Sequence, residues 1–201
     1  MKKFIATSPF QPKGKLGKGI YNAVDNEKLN FGRETSFPII PIINGYAEQG
    51  DEIEVIVNIA DYENAKYNFE LLKDEIREIC DEKNISYKLT QIETPYNDLL
   101  DTQLELFSKL VDATSDGDTL YCCISYGSKP VPMIQTMALH YALRARKNVS
   151  VECVAYGAMD HNNHKMNIYD ITSLLYLDEL LNTMAEQKIA DPIDKIRDLL
   201  K

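Results

Sequence analysis

The sequence predicts an α/β fold of Rossmann-like type: a doubly wound, mainly parallel six-stranded sheet with an antiparallel last strand. Three observations lead there. Apolar, β-branched runs such as Ile53-Glu-Val-Ile-Val-Asn-Ile59 alternate with longer segments in which apolar residues recur every three to four positions. From about residue 50 onward the two kinds of segment follow one another in repeating strand–helix order, which right-handed crossovers turn into a parallel sheet covered on both faces. The final two strand-like runs are joined by a link too short for a crossover helix, which sets the last one antiparallel.

Taken in order, Phe4 to Thr7 reads as a short buried strand leading into Ser8-Pro-Phe-Gln-Pro-Lys-Gly-Lys-Leu-Gly-Lys-Gly19. The Pro and Gly content of that loop forbids regular structure, and Lys13, Lys15 and Lys18 make it basic. Tyr21 to Thr35 has mixed character and fits a small hairpin. Ser36 stands as a cap before prolines suited to a first helical turn, which predicts a short helix to about Ala47. Asp51 to Ala60 is a second strand, and Asp61 to Lys83 a long helix with Ala65, Phe69, Leu72, Ile76 and Ile79 on its apolar face. Ile85 to Ile92 is a third strand, Asp98 to Ala113 a helix, and Asp116-Gly-Asp118 the turn into a fourth strand. Pro130 to Lys147 is helical, with proline where a first turn tolerates it. Val149 to Tyr156 is a fifth strand, Met159 to Lys165 a tight return, and Met166 to Tyr169 the sixth strand. A leucine-rich helix, Thr172 to Gln187, has Asp170 or Thr172 as its cap, and Asp191-Pro192 starts a last short helix. Residues 1–187 form the domain; 188–201 are a helical tail or the start of a link to an effector.

A chain of 201 residues, 44% hydrophobic and 26% charged, has the composition of one globular domain able to bury a substantial core. No apolar run is long enough for a membrane span, and the apolar part of the start Met1-Lys-Lys-Phe-Ile-Ala-Thr7 is too short for a signal peptide. These features predict a cytoplasmic protein with no membrane partner. Cys80, Cys122, Cys123 and Cys153 all fall inside apolar-periodic segments, none with C-x-x-C spacing, and read as small core residues in a reducing compartment. Adjacent Cys122 and Cys123 belong on opposite faces of one strand.

The net charge of −9 argues against general or duplex nucleic-acid binding. The cations are unevenly spread, however. Met1 to Val24 holds five Lys and no acid, and Thr119 to Val151 holds Lys129, Arg144, Arg146 and Lys147 and no acid. In a Rossmann-type order the first and fourth strands are neighbours where the winding reverses, and ligands settle outside their carboxyl ends. Pattern and charge together therefore predict a basic pocket there. Its floor is Tyr121-Cys-Cys-Ile-Ser-Tyr-Gly-Ser-Lys-Pro130, a strand that delivers Ser125, Tyr126, Gly127, Ser128 and Lys129 into the turn before a helix. Backbone N–H groups, hydroxyls and one cation at one point attract phosphate; the alternative is an ordinary strand–helix connection whose Ser and Gly serve turn geometry.

Cys123-x-Ser125-x-x-x-Lys129 resembles the small-or-polar, x, Ser/Thr, three-residue gap, Lys/Arg pattern after the fourth strand of the CARF domain, the CRISPR-associated Rossmann-like sensor of cyclic oligoadenylates. Cys123 stands where many members carry an acid or amide. Lys2-Lys-Phe-Ile-Ala-Thr-Ser-Pro-Phe-Gln11 is similar to that family's first strand and ligand loop. Val154-Ala-Tyr-Gly-Ala158, followed by Ile168-Tyr-Asp-Ile-Thr-Ser-Leu174, is similar to the branch ending in a Tyr-Gly strand and an Asp-x-Thr turn. The resemblance implies a homodimer whose two pockets join across a two-fold axis to hold one cyclic tetra- or hexa-adenylate, as a sensor in type III CRISPR antiviral defence. An effector domain usually follows the sensor in this family; none is present in these residues, so the chain is a sensor portion of a longer protein or acts alone.

The ligand-binding candidates are Thr7, Ser8, Pro9, Phe10 and Gln11 on one wall, Ser125, Tyr126, Gly127, Ser128 and Lys129 on the floor, and Tyr156 and Gly157 at the rim. Gln11 has the groups to read an adenine edge, Ser8 to contact phosphate or ribose, and Phe10 to stack, while core packing is the competing role for Phe10 and Tyr156. The alternative function is a metal-independent ring nuclease. There a ribose 2′-oxygen attacks the adjacent phosphate, and Lys129 with the hydroxyl of Ser8 or Ser128 stabilises the developing charge, giving linear products with a 2′,3′-cyclic phosphate. A third class, an α/β enzyme using a free nucleotide, lacks its fingerprint, because Gly14-x-x-Gly17-x-Gly19 is neither G-x-G-x-x-G nor a Walker loop. No cofactor is expected. His161 and His164 beside Asp160 resemble metal ligands but sit in a turn without a third strong partner, so no metal site is expected either. Gly32-Arg33-Glu34 is a flap over the ligand or a solvated hairpin tip.

Overall fold

The computed structural model describes residues 1–160 and 165–199. Five parallel strands form the body of the sheet: β1 (Lys2–Thr7), β4 (Glu52–Ala60), β5 (Ser86–Thr94), β6 (Thr119–Cys123) and β7 (Ser150–Asp160). Three more complete it, β2 (Gly19–Val24), β3 (Glu34–Thr35) and β8 (Lys165–Asp170), in the order β3-β2-β8-β7-β6-β1-β4-β5. The helices are α1 (Ile39–Tyr46), α2 (Glu63–Lys83), α3 (Leu100–Asp112), α4 (Pro130–Ala145), α5 (Thr172–Glu186) and α6 (Pro192–Leu199).

The sheet therefore has eight strands rather than six. β8 is antiparallel to β7, as its short link requires, but it is not an edge: its other side pairs in parallel with β2, Tyr21 opposite Met166. β2 and β3 are the expected hairpin, but it joins the main sheet. The α1 cap also differs. Pro38 occupies the cap position with no side-chain bond, and the Phe37 N–H is taken by the Thr35 hydroxyl at 2.9 Å, not by Ser36. At α5 the cap position falls to Ile171 with no side-chain bond, while Asp170, one residue earlier, accepts the Thr172 N–H at 2.9 Å.

Side-chain alternation builds one core on each face. Phe4, Ala6, Tyr121 and Cys123 pack with α1 and α2, while Ile5, Leu120 and Cys122 pack with α3, α4 and α5. Cys122 and Cys123 thus part to opposite faces, and all four cysteines are buried and unpaired. Winding runs from β1 outward to β4 and β5, then returns through α3 to β6 on the other side of β1 and on to β7. The reversal lies between β1 and β6, which pair in parallel. No helix among the described residues is long and apolar enough to cross a membrane.

Candidate functional site

At the reversal, β1 ends at Thr7 with Ser8 just beyond it, and β6 runs into the loop Ile124–Lys129 that opens α4. Gly127 makes the close approach possible. It sits at φ +109, and a Cβ there would lie 2.9 Å from Val131 Cβ and 3.3 Å from Thr7 Cγ2. Only glycine fits both the dihedral and the space. Ser128 O accepts the Val131 N–H at 3.0 Å, and Pro130 takes a first-turn position that needs no N–H. Lys129 is exposed at the cap position of this 16-residue helix, whose first turn offers no free N–H, since Pro130 and Pro132 have none and that of Val131 is taken by Ser128 O.

The first-strand loop is fastened from below. The Ser8 N–H reaches Asn58 O at 2.9 Å, and its hydroxyl donates to Ala65 O at 2.6 Å with the residue fully buried. A phosphate contact from Ser8 therefore requires breaking an internal bond. Thr7 is equally enclosed, its hydroxyl accepting from Gln135 at 3.3 Å. Asn68 Nδ2 bridges the carbonyls of Pro9 and Gln11, each at 2.9 Å. Pro9 is buried, and the half-buried Gln11 keeps its Oε1 inside without a partner.

The remaining candidates divide among three places. Ser125 Oγ accepts the Gly157 N–H at 2.8 Å and meets Cys123 Sγ at 3.1 Å, tying the loop to β7. Tyr126 turns into the core and donates to Ser36 O at 2.7 Å. Burial pushes its phenol far up and that of neighbouring Tyr21 up to about 12, so both remain neutral. Burial likewise raises the Cys123 thiol against the opposing bonds from Ser125. Tyr156 points to the other face from Gly157 and stacks on Tyr169, centroids 5.1 Å apart and planes 17° apart. Arg33 forks onto Glu82 with two bonds of 2.8 Å, which holds that tip against the end of α2 rather than over a ligand. The stretch His161 to His164 lies outside the described residues.

Phe10 and Ser128 meet across one cavity of about 470 Å³. It lies over the carboxyl ends of β4 and β5, bounded by the β5–α3 loop and the first turns of α3 and α4. Phe10 stands edge-on to Tyr96 at 5.3 Å, and Tyr62 stacks on Tyr96 at 4.5 Å. Ser128 donates to Asp98 Oδ1 at 2.7 Å. The lining carries one acid, Asp98, and no Lys or Arg among the described residues. This corrects the expected basic pocket. The acid-free segments run the length of the sheet, so several of their cations emerge elsewhere. Lys3 is buried at the amino end between Glu54 (3.3 Å) and Asp118 (3.0 Å), Lys2 pairs with Asp51 (2.7 Å), and Arg144 pairs with Glu179 (2.9 Å). Lys13 lies over the Tyr67 ring at 4.8 Å.

No family model and no curated protein matches this chain.

Sequence reasoning passed over Asn58, Thr94, Tyr96, Asn97, Asp98, Thr102 and Gln103, which supply most of the polar lining. The available signal was Thr94-Pro-Tyr-Asn-Asp98, a turn-forming run that follows a strand at the ligand end of the sheet.

Proposed function

We propose that the chain is a sensor module in type III CRISPR antiviral defence, acting in the cytoplasm as a homodimer that binds one cyclic tetra- or hexa-adenylate. One observation carries this reading beyond the sequence resemblance. The helix that opens at exposed Lys129 also turns an uncovered apolar row outward: Met133, Met137 and Tyr141 are 68%, 57% and 48% exposed. Leu174 of α5, 58% exposed, borders the same groove as the two methionines. Such a row on one helix suits a second copy. A two-fold axis through it sets two Lys129 loops side by side, and a ring with an even number of identical nucleotides presents the same groups to both.

In this arrangement the N–H groups of the Gly127–Lys129 turn and the Lys129 ammonium hold phosphate oxygens. Holding is favoured over cutting by the hydroxyls. Ser8 donates to Ala65 O and Ser128 to Asp98, so both hydroxyls proposed to stabilise a cleaving phosphate are already engaged. Lys129→Glu replaces a charge-assisted contact with repulsion and lowers ring affinity at least tenfold, from a contact worth about 1.5–3 kcal/mol. Unchanged affinity overturns the reading. Incubating labelled rings with the pure protein without metal leaves them intact if the chain only senses; linear products with a 2′,3′-cyclic phosphate establish the nuclease instead.

A further inference from the structure

The cavity over β4 and β5 differs chemically from the phosphate loop beside it. Asn58 is its most informative wall. The residue is 2% exposed, its Oδ1 accepts from Thr94 Oγ1 at 3.0 Å and its carbonyl from Ser8 N–H, while its Nδ2 donates to no other described residue. Its side chain lines the cavity with a donor left over, which an acceptor within the cavity can take. Across the cavity, Asp98 gives one oxygen to Ser128 and its backbone carbonyl to Gln103 Nε2 at 2.8 Å, leaving Oδ2 without a partner among the described residues. A carboxylate as the sole charged group of the lining among the described residues repels anions and takes amine or hydroxyl donors. Phe10 and Tyr96 meet edge to face and form an aromatic corner over an apolar floor that includes Leu106 and Ile134, a surface suited to a planar ring. A volume of about 470 Å³ holds a ligand of nucleoside size.

We infer that this cavity takes an uncharged nucleoside unit, its base against the aromatic corner of Phe10 and Tyr96 with an acceptor on Asn58, and an amine or sugar hydroxyl on Asp98. Phosphate stays outside, toward Gly127 and Lys129. As the base-holding half of the site proposed above, the inference rests on that reading, and the test separates the two.

Adenosine, adenine, ribose and inorganic phosphate are titrated separately into the isotopically labelled full chain, followed by amide resonances. Adenosine is expected to shift the Asn58 side-chain amide and the Thr94 and Gln103 signals saturably. Asp98→Asn is expected to weaken it about tenfold, the loss of one charge-assisted bond, and Gln103→Trp to fill the cavity and abolish it. Both variants alter surface-accessible groups, and an unchanged amide spectrum verifies their folding. Absence of a saturable shift up to the solubility limit, ribose or phosphate moving the same Asn58, Thr94 and Gln103 signals as strongly as adenosine, or adenosine shifts confined to other surfaces overturns the inference. Cyclic tetra-adenylate is then titrated into the same variants. A ring that binds wild type, Asp98→Asn and Gln103→Trp equally refutes the inference while leaving the proposed function intact. Adenosine bound in the cavity with no ring bound does the reverse.

Discussion

Replacing Gly127 by alanine adds one carbon at the point where β1, β6 and α4 converge. The cost has two parts that the structure separates. At φ +109 an L-residue is strained, by about 1–3 kcal/mol. The new Cβ would also sit 2.9 Å from Val131 Cβ and 3.0 Å from its Cγ1, and Val131 is β-branched, 8% exposed and fixed in the first turn of α4. Thr7, 3.3 Å away and 2% exposed, has no room to yield either. Overpacking of this kind adds about 1–3 kcal/mol. The sum, about 2–6 kcal/mol, corresponds to a melting temperature lowered by about 5–20 °C for a chain of this size. Gly32→Ala is the internal control. Its φ is +69 and nothing lies within 4 Å of the added carbon, so it registers backbone strain alone, about 1–2 kcal/mol. Thermal and urea unfolding of both variants should show Gly127→Ala as the costlier, with weaker ring binding as the loop shifts. Equal costs at the two positions would refute the packing argument.

Two further outcomes are expected. Met137→Glu places a charge in the exposed row of α4 and should convert a dimer to monomer in light scattering, with the melting curve of the monomer unit preserved; an unchanged mass would move the interface elsewhere. Glu75 is held above its ordinary value of 4.5 by burial, partly offset by bonds from Thr35 and the Ser36 N–H. With the folded pKa raised, its favourable contribution is complete below the unfolded value and is lost as pH rises through the folded one. Glu75→Gln should therefore raise stability at neutral pH, with the gain shrinking toward pH 4, as read from melting temperatures across that range; a gain that grows on acidification would contradict the sign.

Much of the fold was legible because apolar period and strand direction are local properties. The run Ile53 to Ile59 announces a strand buried on both faces, and the five residues from Ala65 to Ile79 mark one side of a helix. β2 was harder to read as part of the main sheet. Tyr21 is the single buried residue in Gly19–Val24, and its partner Met166 comes from the far end of the chain, so no local pattern announces the pairing. The site was legible in topology but not in chemistry. The reversal between β1 and β6, and the glycine turn leading into α4, follow from element order. What the sequence does not encode is the direction of a hydroxyl. Ser8 lies where a ligand loop begins, yet Ala65 O captures it. Nor does charge along the chain report charge in space, since Lys3 and Lys129 lie near opposite ends of the sheet. Asn58 was hidden for a related reason: in an apolar run it reads as one tolerated polar residue, and its role is visible only once Thr94 has claimed its oxygen.

Calorimetric titration of the unmodified chain with cyclic tetra- and hexa-adenylate tests the central claim most directly, because it reads affinity and stoichiometry together. The account predicts that at least one of the two rings saturates at one ring per two chains. Saturation at one ring per chain, or no saturable heat with either ring, would contradict it.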